Sequence, residues 1–411
     1  MTKKKPGMRF VKATAILVLT MSLGACCAGV KTGLDNVASY EQLFRGKRIG
    51  IITNHTACNS QGRHITDVFG DMEGVKIAAL FGPEHGMRGT EAEGKRIDSQ
   101  TGETHDVPVY SLYGKTVKPT AEMLENVDVL VFDIQDVGAR FYTYTYTMSL
   151  AMAAAAENGK RFVVLDRPNP INGLVVEGNI LEPEFASFVG LYPIPVRHGM
   201  TIAELAKMFN GQGWLAGGVK ADLFVAPMQG WRRGDWYDRT GLRFIKPSPN
   251  MTDLETAAVY PGLCLLEGTN VSEGRGTGKP FLQFGAPWID ADDLAARLNK
   301  LSLPGIRFQP VSFTPSASKY AGERCHGAEI TITQRDLLEP YWAGILIVNE
   351  IHRMYPGQFE FRASHFDRLC GAADVRNAII NGSSLQNLKR SWQDKLEAFL
   401  QIRKKYLLYP E

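Results

Sequence analysis

Residues 127–166 read VDVLVFDIQDVGARFYTYTYTMSLAMAAAAENGKRFVVLD and contain two apolar runs joined by a helical segment. The runs, at residues 127–134 and 161–166, are almost continuously apolar, as is typical of strands covered on both faces. The segment between them, residues 144–158, is rich in alanine and stops at Gly159, a residue that commonly ends helices. This order of strand, helix and strand predicts two parallel strands linked by a helix.

The same alternation extends in both directions along the chain. Three further apolar runs precede the quoted stretch, at residues 47–54, 75–81 and 107–113. Downstream, residues 201–210 predict a second helix, because Thr201 and Glu204 have the spacing of a capping box. Strands that alternate with helices predict an α/β fold with a doubly wound parallel sheet.

The sequence pattern changes after about Pro261. Helices are predicted at residues 289–301, 342–354 and 387–404, with an alternating strand at 328–333. This mixture predicts a second, smaller α+β domain. The predicted division is a signal peptide at 1–25, a tether at 26–35, an α/β domain at 36–258 and a C-terminal domain at 259–411.

The N-terminus has the pattern of a bacterial export signal. A basic segment is followed by a short apolar run that ends at Ala25, too short for a transmembrane helix of about 20 residues. Residues 23–26, LGAC, are typical of a lipobox, so we expect cleavage before Cys26 and a lipid on that cysteine. This predicts a protein of the cell envelope that is attached to the membrane through its N-terminal lipid. An ordinary signal peptide cleaved nearby is the alternative.

Charge and cysteine spacing argue against several classes of protein. The net charge is +3, but five Lys or Arg residues lie in the first 12, so the remainder offers no basic face for nucleic acid. Cys58, Cys264, Cys325 and Cys370 lack C-x-x-C spacing, which favours free thiols over a zinc site. The absence of G-x-S-x-G and H-E-x-x-H argues against serine hydrolases and zincins.

Polar residues follow four of the predicted strands, at the edge where open α/β sheets bind ligands. In chain order they are Asn54 and His55; Glu84 and His85; Asp133, Asp136, Arg140 and Tyr142; and Asp166, Arg167 and Asn169. Glu84 is either a catalytic carboxylate or a cap of the next helix. Asp133 is either a second active-site carboxylate or a group that orients Arg140. Asp166 and Arg167 are either site residues or an ion pair that fixes their loop.

A glycine-rich segment, residues 267–281, reads EGTNVSEGRGTGKPF. It fails the P-loop pattern because Pro280 follows Lys279, and it lacks the strand and helix that flank a dinucleotide fingerprint. Two interpretations remain open. The loop closes over a polar ligand with Asn270, Glu273 and Arg275, or it is a structural turn where the two domains meet.

Several of these segments together resemble a known family. In chain order, FGPEHG, VFDIQDVGARFYTY, LDRPNP, LYPIPVRHGMT, PSPN and EGTNVSEGRGTGKPF are similar to the NamZ family of exo-β-N-acetylmuramidases, from about Gly33 to the C-terminus. The resemblance implies a Rossmann-like domain, a smaller C-terminal domain and a site between them. It implies release of terminal N-acetylmuramic acid from the non-reducing end of peptidoglycan fragments, with neither nucleotide nor other cofactor. The family's catalytic glutamate lies in its PEHG motif, which corresponds to Glu84.

Glycoside hydrolysis needs an acid for the leaving oxygen and, in most families, a second carboxylate. Candidates for the second group are Asp133, Asp136, Glu273 or the acetamido group of the substrate. Predicted substrate contacts are Asn54, His55, His85, Arg140, Tyr142, Asn169, His198, Asn270 and Arg275. We expect Arg140 or Arg275 to bind the lactyl carboxylate of muramic acid. No metal is predicted.

Two other functions compete with this prediction. One is a non-catalytic envelope lipoprotein that binds cell-wall fragments in the same cleft. The other is an esterase or deacetylase that uses His85 or His198, although no suitable nucleophile or metal set accompanies them.

Overall fold

The computed structural model describes residues 1–3, 29–91, 100–101 and 107–411. The predicted export signal and Cys26 lie outside the described residues. The strands are β1 Arg48–Thr53, β2 Lys76–Gly82, β3 Gln100–Thr101, β4 Pro108–Ser111, β5 Val129–Asp133, β6 Arg161–Leu165, β7 Glu177–Ile180, β8 Pro195–Arg197, β9 Asp222–Ala226, β10 Gln283–Ala286, β11 Ile306–Phe313 and β12 Cys325–Ile332. The α-helices are α1 Ile65–Gly70, α2 Tyr144–Glu157, α3 Ile202–Gly211, α4 Leu254–Leu263, α5 Ala291–Lys300, α6 Pro340–Met354, α7 Ala363–Cys370, α8 Asp374–Ile380, α9 Leu385–Ser391 and α10 Gln393–Lys404.

The large sheet has the strand order of a Rossmann-like fold. Over the described ranges it contains seven strands in the order β3-β4-β2-β1-β5-β6-β9, all parallel except the edge strand β3. Numbered along the chain, the six parallel strands lie in the order 3-2-1-4-5-6, which is the doubly wound arrangement. The prediction of a parallel α/β sheet is therefore confirmed.

Alternation within the strands explains why both faces of the sheet are covered. In β5, Leu130 and Phe132 enter the large apolar core that includes α2 and α3, whereas Val129 and Val131 enter a second core. Successive side chains of a strand point to opposite faces, so an entirely apolar strand requires cover on both. This requirement makes the strand a near-continuous apolar run in the sequence.

The predicted helix signals are present in the structure. The Thr201 hydroxyl accepts a hydrogen bond from the Glu204 backbone N–H, while the Glu204 carboxylate accepts one from the Thr201 N–H. This reciprocal pair is the capping box and starts α3. Gly159 has φ of 62° just after α2, a conformation that glycine adopts without steric cost.

The C-terminal part is α+β, as predicted. In the part of the chain that the structure describes, its sheet has three antiparallel strands in the order β10-β12-β11, and α5 and α6 pack nearby. The predicted boundary between residues 258 and 259 falls inside α4, and the apolar core continues from Ile52 to Phe399. The predicted helix at 387–404 is two helices, α9 and α10, with Trp392 between them.

Close contact between two helices fixes the junction of the two parts. A Cβ atom on Gly262 of α4 would lie 1.8 Å from the Pro340 carbonyl oxygen at the start of α6. A Cβ atom on Gly344 of α6 would lie 2.3 Å from the Gly262 carbonyl oxygen. Both glycines are therefore required for this crossing, because any side chain would force the backbones apart.

No disulfide joins any two of Cys58, Cys264, Cys325 and Cys370, which agrees with the expectation from their spacing. Within the described ranges, no helix is both long and apolar enough to cross a membrane.

Candidate active site

A cavity of about 270 Å³ lies between the carboxyl end of the parallel sheet and the C-terminal part of the chain. Loops on the sheet side contribute Glu84, His85, Tyr113, Phe141, Tyr142 and Thr143. The facing side contributes Tyr260, Glu267, Arg275, Phe281 and His365. The strand order reverses between β1 and β5, and ligands of open α/β sheets bind beyond the carboxyl ends of the strands at such a reversal.

Glu84 reaches the cavity from the loop that follows β2. Its side chain is 7% exposed, and its Oε2 accepts a 2.7 Å hydrogen bond from the Thr143 hydroxyl. Thr143 lies immediately before α2, so the carboxylate faces the first turn of a 14-residue helix. A helix N-terminus stabilises negative charge, and the threonine bond fixes one carboxylate oxygen.

The backbone beside Glu84 is unusual. His85 has φ of 67°, a left-handed conformation that few residues other than glycine adopt, and Gly86 follows with φ of 71°. The ring Nδ1 of His85 lies 2.6 Å from the Glu91 carbonyl oxygen, which anchors the ring. Strained residues of this kind persist where the surrounding structure requires them, and they cluster at functional sites.

A group of charged side chains lies in the facing wall and directly behind it. Arg275 donates to Glu267 at 2.6 Å and contacts Glu273 at 3.2 Å, while Lys319 donates to Glu273 at 2.9 Å. The ring Nε2 of His365 lies 3.8 Å from the other oxygen of Glu267. Burial opposes ionisation of Glu267, but Arg275 and His365 outweigh it and hold the pKa of that carboxyl at about 2. Glu267 is therefore an anion at physiological pH.

Glycines on both sides of Arg275 determine where its side chain lies. Gly274 and Gly276 have φ of 80° and 77°. A Cβ atom would lie 2.4 Å from the Gln283 carbonyl oxygen in the first case and 2.5 Å from the Ala317 backbone nitrogen in the second. The loop is therefore pressed against its neighbours, and Arg275 projects from it into the cavity wall. These contacts support the interpretation of the segment as a structural turn, whereas its closure over a ligand stays a prediction.

Aromatic rings form much of the remaining surface. Tyr260 makes edge contacts with Phe141, Tyr142 and Phe281, and the Arg275 guanidinium lies 5.1 Å from the centre of the Phe281 ring. A sugar presents C–H faces that pack on rings and hydroxyls that need polar partners. Aromatic side chains together with a few converging polar groups therefore suit a saccharide.

Four of the predicted site residues line this cavity: Glu84, His85, Tyr142 and Arg275. The Tyr142 hydroxyl is buried, and this burial raises the pKa of its phenol.

The predicted carboxylate partners of Glu84 do not line the cavity. Asp133 is fully buried and forms a bidentate ion pair with Arg167, rather than orienting Arg140. Asp136 accepts from the Gly138 N–H at 2.7 Å, and burial raises its pKa to about 6. Glu273 lies behind Arg275, paired with Lys319.

Arg140 has a structural role in place of the predicted substrate contact. Its buried guanidinium donates hydrogen bonds to four carbonyl oxygens, those of Asn179, Ile194, Leu369 and Cys370. The last two belong to α7, so Arg140 fixes that helix, which carries His365, to the sheet side. Arg140 is fully buried and does not line the cavity, so it is not placed to pair with a substrate carboxylate.

The other predicted contacts also stabilise the backbone outside the cavity. Asn54 bonds Thr56 and the Tyr144 hydroxyl, and the His55 ring Nε2 lies 2.8 Å from the Lys246 carbonyl oxygen. Asn169 donates to the Met200 carbonyl, His198 accepts from the Met200 N–H, and Asn270 bonds Gln358 and Glu360. Burial of His198 lowers its pKa to about 3, so the ring is neutral.

The predicted ion pair between Asp166 and Arg167 is not formed. Asp166 instead accepts hydrogen bonds from Thr201 and Tyr409.

Sequence reasoning missed Thr143, Glu267 and His365. Glu267 is the first residue of the glycine-rich segment, which was a usable signal, but its neighbours Asn270 and Glu273 carried equal weight. Within the described ranges, no group of three or more His, Cys, Asp or Glu side chains could hold a metal ion.

Two family models match the chain one after the other. The model described as "Exo-beta-N-acetylmuramidase NamZ, N-terminal" matches residues 49–255, and the corresponding C-terminal model matches residues 258–409. The chain is 51% identical over 382 residues to the peptidoglycan β-N-acetylmuramidase NamZ of Bacillus subtilis, covering 92% of this chain and 91% of that protein.

Two crystal structures of DUF1343 family proteins from Bacteroides fragilis share the fold. One is 37% identical with a TM-score of 0.85 and covers 92% of this chain and 99% of that chain. The other is 33% identical with a TM-score of 0.74 and covers 93% and 99% respectively.

Proposed function

This chain belongs to the NamZ family of exo-β-N-acetylmuramidases, and from that premise we propose that it releases N-acetylmuramic acid from the non-reducing ends of peptidoglycan fragments. The observation that carries the proposal is the position of Glu84. It lies in the wall of an aromatic cavity and is fixed through one oxygen by Thr143. A carboxylic acid so placed can protonate the oxygen of the glycosidic bond as that bond breaks.

Selection of muramic acid requires a group that binds its lactyl carboxylate. Arg275 is the arginine among the described lining residues, whereas the guanidinium of Arg140 is bonded to carbonyl oxygens. Arg275 pairs with carboxylates well because its planar donors match their geometry. We therefore assign recognition of the lactyl group to Arg275. Arg275→Lys should reduce the preference for β-N-acetylmuramides over β-N-acetylglucosaminides, and an unchanged preference would remove this assignment.

We also propose that the protein is a lipoprotein of the cell envelope, where peptidoglycan fragments are available. This proposal rests on the basic and apolar N-terminal segments and on the LGAC sequence at residues 23–26. Replacing Cys26 with Ser should abolish metabolic labelling of the protein with a fatty acid. Labelling that persists in the Ser variant would contradict the assignment.

The decisive experiment measures hydrolysis of a chromogenic β-N-acetylmuramide by a soluble form that begins after Cys26. Glu84→Gln should lower turnover of a muramic-acid-terminated disaccharide by about a hundredfold or more, as expected for loss of a general acid, and turnover of the chromogenic muramide by less, because its leaving group needs no acid. Glu125→Gln is the matched control. Glu125 is exposed and lies just before β5, at the amino ends of the parallel strands, whereas the cavity lies at their carboxyl ends. No turnover by the wild type, on this substrate or on muramic-acid-terminated disaccharides, would favour a binding protein. Undiminished turnover by Glu84→Gln would support the enzymatic activity but contradict the role of Glu84 as its acid.

A further inference from the structure

Most glycoside hydrolases use a second carboxylate opposite the acid, and the three carboxylates predicted from the sequence do not supply one here. Asp133 is paired with Arg167, Asp136 is bonded to the backbone of its own loop, and Glu273 lies behind Arg275. None of these three side chains contributes to the described cavity wall.

Glu267 does contribute to that wall, on the side that faces the sheet. It lies in the helical turn that directly follows α4, at residues Cys264–Gly268, and its side chain is 11% exposed. Glu84 belongs to the sheet side, so the two carboxylates lie on different walls of the same cavity. A cavity of about 270 Å³ between them has room for a sugar ring and for a water, which occupies roughly 30 Å³ in the liquid.

We propose that Glu267 is the second catalytic carboxylate of this site and acts as the base that activates the attacking water. The proposal rests on the proposed function, since it assigns a role within the same hydrolysis. It differs from the predictions made from the sequence, in which Glu273 was the candidate from this segment.

The contacts of Glu267 hold its carboxylate in place and keep it ionised. One oxygen accepts from Arg275 at 2.6 Å, and the other lies 3.8 Å from the His365 ring. These contacts keep the group ionised, which a base requires, and they hold its pKa at about 2. The cavity between Glu84 and Glu267 has room for a water beside the sugar ring, which favours activation of water over direct attack on carbon.

The resulting reaction is a single displacement. Glu267 accepts a proton from water while the water oxygen forms a bond to C1 of the sugar. The bond between C1 and the leaving oxygen breaks, its electron pair stays on that oxygen, and the oxygen takes the proton of Glu84. Exchange with solvent then removes the proton from Glu267 and returns one to Glu84. The first product is the α-anomer, because water attacks the face opposite the leaving group.

The test compares Glu267→Ala, Glu267→Gln and Glu273→Gln in the soluble form, with thermal unfolding as the control for folding. Glu267→Ala and Glu267→Gln should each lose about a hundredfold or more in turnover, as for removal of a general base. Glu273→Gln is the matched control for the Glu267 variants, because it also removes a carboxylate that contacts Arg275. Its turnover should fall much less than theirs. Added azide should restore turnover to Glu267→Ala and yield the α-glycosyl azide, since azide needs no base.

A second readout separates the two carboxylates. A better leaving group should recover much of the activity of Glu84→Gln, because its departure needs no acid. It should recover little of the activity of Glu267→Gln, in which the attacking water remains unactivated. For the wild type, proton NMR of the first turnovers should show the α-anomer.

Several results would overturn the proposal while leaving the proposed function intact. They are an active Glu267→Gln, an equal loss in Glu273→Gln, the absence of azide rescue in a folded Glu267→Ala, and a wild-type product that is initially the β-anomer. A wild type that hydrolyses no muramide would instead overturn the proposed function itself. If Glu267→Ala does not fold, the activity of the isosteric Gln variant and the anomer that the wild type produces still test whether Glu267 is the base.

Discussion

The hydrogen bond from Thr143 to Glu84 links the proposed acid to the helix that follows. The hydroxyl donates to Oε2, which fixes the orientation of the carboxyl group in the cavity wall. The bond strengthens as Glu84 loses its proton, because hydrogen bonds to charged acceptors are stronger than those to neutral ones. Thr143 is therefore a positioning residue that favours the transition state over the ground state.

Thr143→Val should lower kcat by about 10- to 100-fold with little change in KM, which corresponds to the ~1.5–3 kcal/mol of a hydrogen bond to a charged group. Valine has the same shape, so the change removes the donor without opening a cavity. Steady-state kinetics on a β-N-acetylmuramide provide the measurement. Thr143→Ser retains the hydroxyl and should keep most of the activity. A Val variant with unchanged kcat, or a Ser variant as impaired as Val, would show that the hydroxyl does not act on Glu84.

Residue roles could be predicted from the sequence only where a local motif carries them. Glu84 lies in a compact PEHG motif next to a strand end, so its position at the sheet edge followed from the strand. Arg140 follows a strand end too, but its role is set by carbonyl oxygens of α7, more than 200 residues away. Pairings over such distances leave no local pattern, which is why Arg140 was assigned to substrate.

At the scale of elements, a buried carboxylate joins the two parts of the chain. Glu177 in β7 accepts a 2.8 Å hydrogen bond from the Trp342 N–H at the start of α6. Burial raises its pKa from 4.5 to about 7. The folded state therefore binds a proton at Glu177 more tightly than the unfolded chain does. The stability that this group contributes is fully present below about pH 4.5 and is lost as the pH rises through 7.

We predict that Glu177→Gln removes this pH dependence, because a glutamine is neutral at every pH. The free energy of unfolding of the wild type, relative to the variant, should be constant below pH 4.5 and fall between pH 4.5 and 7. Each pKa unit corresponds to about 1.4 kcal/mol, so a decline of a few kcal/mol is expected. Urea unfolding at a series of pH values measures it. Parallel curves for the two proteins would show that Glu177 titrates normally in the folded state.

Elements were predictable when their sequence signal was long or carried a cap. The buried strands β1, β2, β5 and β6 and the capped helix α3 fall within one or two residues of the predicted bounds. β9 was missed because it is a five-residue edge strand with one fully buried residue, and such a strand has no long apolar run. The division between α9 and α10 was missed because Trp392 keeps helical backbone angles and only the hydrogen-bond pattern changes.

The C-terminal segment, from Leu408 to Pro410, packs against the sheet domain. Tyr409 donates to the Asp166 carboxylate, and the Leu408 N–H donates to Glu204 at 2.7 Å. The Arg233 N–H donates to the Pro410 carbonyl at 3.0 Å, and its side chain pairs with Glu204. The last residues of the chain therefore complete a buried polar network within the N-terminal part. Residues 36–258 and 259–411 are joined both by this segment and by one continuous apolar core.

This arrangement predicts that the two parts unfold together. Calorimetry of the soluble form should show one transition, although a chain of this length could show two if its domains were independent.

A form that ends at Lys405 should unfold at a lower temperature, because it exposes the Glu204–Arg233 pair and leaves Asp166 without the Tyr409 hydroxyl. Tyr409→Phe removes only this hydroxyl, which donates to Asp166 and accepts from the Met228 N–H, and should cost about 1–3 kcal/mol, as for buried polar groups deprived of a partner. Removal of Glu411 alone is the control, since this exposed terminal residue should not matter. Two separate transitions, with the one for the sheet domain unchanged by the truncation, would contradict this prediction. They would show that the C-terminal segment does not stabilise the sheet domain and that each part folds independently.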